Sequence, residues 1–96
     1  MDDYSLIAQI KEGNTLAFKQ FFDRYYRPLC VYVCNFTNDM PSAEDLVQLV
    51  FVDFWNKRES ITIQTAVKSY LYKMAYNQFL TSLRKKKERS HLTRRS

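Results

Sequence analysis

Apolar residues recur three and four positions apart along most of the chain, the spacing of helices that each bury one face. Leu6, Ile7 and Ile10 form the first stripe, which predicts a short helix over residues 3–12 with Asp3 as its cap. Gly13 and Asn14 interrupt it. Glycine suits the left-handed turn at a helix end, and asparagine suits the cap of the next helix. Phe18, Phe21, Phe22, Tyr25, Leu29, Tyr32, Val33 and Phe36 then keep helical spacing from Thr15 to Phe36. Such an aromatic stripe is read as core. Pro28 conflicts with that helix, because proline lacks an N–H and crowds the turn before it. A kink or break is expected at 24–27, with enough apolar residues on both sides for the helix to resume. Residues 37–41 read as a turn, helped by Asn38 and Asp39.

Residues 41–58 predict a third helix, with Ser42 as cap and Glu44 and Asp45 in its first turn. Lys57 and Arg58 are placed in its last turn, where positive charge suits the helix dipole. Ala43, Val47, Val50, Phe51 and Phe54 make one apolar face, flanked by Leu46 and Trp55. The opposite side gathers Asp45, Gln48, Leu49, Val52, Asp53 and Asn56. Two apolar residues in a polar frame are the pattern of a docking surface for another chain. Isolated exposed Leu and Val residues are also common without any such role.

Residues 59–65, ESITIQT, are polar, β-branched and poor in helix formers, and with no partner strand they read as a loop. Thr65 is the expected cap of a last helix from Ala66 to about residue 88. Val67, Leu71, Met74, Ala75 and Gln78 mark its inward side. Tyr70, Lys73, Asn77, Thr81 and Arg84 line up on another. A ring, cations and an amide on one stripe suit DNA: cations for phosphates, the amide for a base or sugar edge, the ring for stacking. A solvated face explains the cations but not the ring and the amide. Tyr72, Tyr76 and Phe79 are read as packing between helices.

Composition narrows the fold to an all-α bundle of three to four helices. One Gly and two Pro in 96 residues leave little material for a turn-rich β fold. Charge is uneven. Residues 68–96 hold nine basic residues and one acid, whereas residues 1–67 hold six basic and nine acidic ones. The basic end, including Lys85, Lys86 and Lys87, is a footprint for a polyanion, and the acidic body is not. Cys30 and Cys34 read as two small buried thiols rather than metal ligands, since no further Cys or clustered His accompanies them. No apolar run approaches the ~20 residues that cross a bilayer, and MDDYS lacks the basic and apolar parts of a signal peptide. The expected location is the cytoplasm. No clustered His, paired carboxylates or Gly-rich phosphate loop points to an enzyme, a metal or a cofactor.

AEDLVQLVFVDFW, residues 43–55, resembles the core helix of bacterial RNA polymerase sigma factors, region 2 of the sigma-70 family, in its extracytoplasmic-function (ECF) type. LIAQIKEGNTLAFKQFFDRYYRPL resembles that family's opening helices, and SYLYKMAYNQFLTSLRKKK its promoter-binding helix. Three segments match in order with family-like spacing.

The resemblance implies a transcription-initiation domain over residues 1–90, followed at 91–96 by the start of a basic linker to a helix-turn-helix domain. By the resemblance, Asp45, Gln48, Val52, Asp53 and Asn56, with Leu49 among them, face the clamp helices of the largest subunit of core RNA polymerase. The same face would be the natural target of an anti-sigma factor. Ser60, Thr62, Gln64 and Thr65 would receive a base flipped from the −10 element, chiefly from its non-template strand. Asn77 matches a position usually held by Asn before the basic run. Leu49 stands where the family often has Glu, and Thr81 where many members have Asp. The aromatic set that primary sigma factors use for strand opening is not fully present. Two other functions compete: a DNA-binding domain that acts without polymerase, and a protein-interaction adaptor that leaves DNA alone.

Overall fold

The computed structural model describes the backbone of residues 2–95 and the side chains of residues 2–85. Four helices follow one another: α1 (Asp3–Lys11), α2 (Thr15–Thr37), α3 (Met40–Asn56) and α4 (Val67–Arg95). No strand occurs among the described residues. The fold is therefore all-α, as the helical spacing predicts.

Local chemistry explains each boundary. Asp2, not Asp3, caps α1 by accepting from the Ser5 N–H at 2.7 Å. Asp3 is free for a tertiary role because it already lies inside the helix. Gly13 takes φ +88, and Asn14 caps α2 by accepting from the Ala17 N–H at 3.1 Å. At the other end of α2, Asn38 adopts the left-handed conformation at φ 54 and donates to the Cys34 carbonyl at 2.8 Å. Asp39 then caps α3, accepting from the Ser42 N–H at 3.0 Å. The cap thus lies three residues before Ser42, and Pro41 sits in the first turn, where its missing N–H costs nothing. Asn56 ends α3, so Lys57 and Arg58 lie just beyond the helix rather than in its last turn.

The helix α2 passes through Pro28 without the expected break. Phe21 and Tyr25 before it, and Leu29, Cys30 and Val33 after it, are all buried. An interior proline costs ~3 kcal/mol or more, while each fully buried large apolar side chain contributes about 1.5–3 kcal/mol. Packing on both flanks outweighs the lost hydrogen bond.

A two-residue turn reverses α2 into α3, and rings interlock along the hairpin. Phe18 lies 4.9 Å from Trp55, Phe22 4.8 Å from Phe51, and Phe21 5.0 Å from Phe54, measured between centroids. The early turns of α2 therefore meet the late turns of α3. The last helix fills the remaining side. Val67, Leu71 and Ala75 are buried, and Tyr72, Tyr76 and Phe79 pack on α2 at Tyr32 and Phe36. After Val67 the chain holds no Gly or Pro, and α4 runs on past residue 88, where the sequence reading ends it.

Candidate functional site

Ala43, Val47, Val50, Phe51 and Phe54 turn α3 into the core. That orientation fixes what the other side presents. Leu49 is 50% exposed and Val52 53%, and Asp45, Gln48 and Asn56 are exposed around them. Asp53 is half-buried and behaves differently from its neighbours. It lines a hollow of about 240 Å³ between α3 and α4, with Val50, Lys57, Met74, Asn77, Gln78 and Thr81. Five of the six residues grouped on this face by helical spacing therefore share an exposed surface, and Asp53 borders the next one.

The connection from α3 to α4 spans residues 57–66. Ile61 is buried and Ile63 half-buried, while Thr62 and Gln64 are exposed. This period-two alternation is that of an extended segment laid on the core. It turns the polar side chains outward to form a wall. Thr62, Gln64 and Thr65 line an open hollow of about 530 Å³, whose other side is Ser69, Tyr70, Lys73, Met74 and Asn77 of α4. Tyr70 is steadied from below by an edge-on contact with Phe54, 6.3 Å between centroids. Lys73 and Asn77 are exposed, one turn apart. Their spacing puts a cation and an amide side by side over the wall of the loop.

Other candidate residues lie outside this hollow. Ser60 is exposed, and its hydroxyl donates to the Lys57 carbonyl at 3.0 Å, a local turn bond. Thr65, which does line the hollow, does not cap α4, because the helix begins at Val67. Thr81 donates to the Asn77 carbonyl one turn back at 3.0 Å and borders the smaller hollow. Arg84 and Lys85 are exposed further along the helix, and the side chains of Lys86 and Lys87 lie outside the described residues. The two hollows share Met74 and Asn77, so a polar groove continues along α4 between loop and α3.

Sequence reasoning missed Ser69, Lys57, Gln78 and Met74 as lining residues. Ser69 was legible, since Ser69, Lys73 and Asn77 form one row spaced four apart. Lys57 and Gln78 enter only because α3 and α4 meet, which no single-helix pattern reveals. Arg58 also escapes a pattern reading. Its guanidinium lies 4.2 Å over the Trp55 ring, and it donates to the Trp55 carbonyl at 2.9 Å. It thereby pins the start of the loop to the end of α3.

Among the described residues no group of three or more His, Cys, Asp or Glu is placed to hold a metal ion. No helix among them is long and apolar enough to cross a membrane. Burial pushes the Cys30 thiol above its usual value, which makes it a weak nucleophile.

A family model described as Sigma-70 region 2 matches residues 21–89. No curated protein and no solved structure matches the chain. The matched span holds α2 from Phe21 onward, all of α3, the loop, and every residue of both hollows.

Proposed function

The chain belongs to the sigma-70 region 2 family, a sigma factor region involved in RNA polymerase binding and promoter melting and not a family of enzymes, and from that premise we propose a division of labour between its two surfaces. The exposed face of α3, built on Leu49 and Val52 with Asp45, Gln48 and Asn56, docks on the clamp helices of the largest polymerase subunit. The hollow between the loop and α4 takes a base of the −10 element from the non-template strand. Lys73, Arg84 and Lys85 hold phosphates, Tyr70 offers a ring, and Asn77, Gln64 and Thr62 meet the base edge. Asp53 belongs to both borders. The ECF type is part of this reading, as is an anti-sigma factor that would cover the α3 face.

One observation carries the DNA half of the proposal. The loop and α4, separate in the sequence-level reading, close around a single hollow of about 530 Å³, within the ~300–1,000 Å³ of ligand sites. The polymerase half rests on the half-exposed Leu49 and Val52, which the bundle leaves without a partner of its own. A charge-reversed docking face tests it. The Asp45→Lys, Leu49→Arg double variant should fail to co-purify with core polymerase while keeping its helical content. Retention on core polymerase would remove the docking assignment.

A further inference from the structure

Tyr4 lies outside the matched residues 21–89, yet it reaches the loop that walls the larger hollow. Its hydroxyl donates to the Thr65 carbonyl at 3.2 Å, across 61 positions of the chain. The ring itself is 61% exposed and gains little from burial. The hydrogen bond is therefore the main thing this side chain contributes to the fold.

The two ends of that bond differ in how they are held. On one side α1 is anchored without Tyr4. Leu6, Ile7 and Ile10 are buried in the core, and Asp3 accepts from the Tyr25 hydroxyl and from the Arg24 guanidinium at 2.6 Å. On the other side the loop rests on Ile61 and Ile63, with Thr62 and Gln64 pointing away from the core. Thr65 lies near the end of the loop, one residue before Ala66, whose carbonyl accepts from the Tyr70 N–H in the first turn of α4 at 3.1 Å. A fixed helix thus grips the last residue of the wall that faces Lys73 and Asn77.

We propose that Tyr4 is a positioning residue, which sets the loop wall at the spacing from α4 with which the hollow distinguishes an occupied base from a missing one. It touches neither base nor phosphate. The inference rests on the assignment of the hollow to a nucleobase. It extends the site beyond the family's matched span to α1.

The test uses the 96-residue chain and the Tyr4→Phe variant, which keeps the ring and removes the hydroxyl. Amide hydrogen exchange reads the loop. Fluorescence anisotropy reads binding to a short AT-rich single strand and to the same strand made abasic at each position in turn. The variant should exchange faster at residues 62–65 with α2 and α3 unchanged. Its preference for the intact strand over the abasic one should fall about two- to fivefold, the order expected of one exposed hydrogen bond. The salt dependence of binding should stay the same, because no phosphate contact is lost. Unchanged exchange in the loop overturns the tether. Faster exchange with full base preference overturns its role in the site. An unsubstituted chain with no preference for intact over abasic strands overturns the nucleobase assignment itself, and the positioning role with it.

Discussion

Tyr25 donates its hydroxyl to the carboxylate of Asp3, and through that bond the second helix holds the first. Burial, and then the hydrogen bond and the negative charge of Asp3, push the phenol up from 10.0 to about 12. The folded chain therefore favours the neutral phenol. This stabilisation is present in full below pH 10 and is lost as pH rises through about 12. Urea unfolding followed across that range should show stability falling, and Tyr25→Phe should flatten the fall. Tyr26 leaves a residual slope. Its Gln48 hydrogen bond lowers its pKa, but burial and the nearby Cys30 and Glu44 outweigh that and raise it.

Core and face should respond oppositely to substitution. Phe21 is fully buried against Tyr25, Phe51 and Phe54. Phe21→Ala should cost about 3–5 kcal/mol in urea unfolding, a large part of the ~5–15 kcal/mol that holds a small domain together. Leu49→Arg should change stability by no more than ~0.5 kcal/mol, because half of that side chain already meets water. Similar losses for both would mean that Leu49 belongs to the core.

The two residues at the centre of the hollow should separate affinity from specificity. Lys73→Ala should weaken binding to all single strands alike and lower the salt slope by about 1. Asn77→Ala should leave the salt slope alone and reduce preference among bases. Anisotropy titrations over a range of salt concentrations, on strands differing at one base, distinguish the two effects.

Much of this was legible in the sequence because helices carry their own periodicity. The core faces of α2 and α3 and the exposed Leu49 and Val52 follow from spacing, and the Gly13-Asn14 break follows from residue type. Asn14 caps α2 as its residue type predicts, but the caps of α1 and α3 were misplaced by one and three residues. Asp2 and Asp39 outcompeted Asp3 and Ser42, since neighbouring Asp and Ser residues are nearly equivalent caps and only the backbone decides. Pro28 was read by its local cost, which tertiary packing overrode. The hollow was the least legible feature. Its loop wall and its helical wall each appeared as a candidate stripe, but Asp53, Lys57 and Gln78 join the groove only through the angle at which α3 meets α4. The hydrogen bond from Tyr4 to Thr65 spans 61 positions and has no local signature.

The most direct measurement is a crossed comparison with labelled −10 non-template strand, read by anisotropy with and without core RNA polymerase. Leu49→Arg should bind the strand alone as the unsubstituted chain does and gain nothing when polymerase is added. Asn77→Ala should still assemble with polymerase but bind the strand with its base preference lost. If Leu49→Arg assembles normally, or Asn77→Ala keeps full base preference within the assembled complex, the chain does not divide its work between these two surfaces.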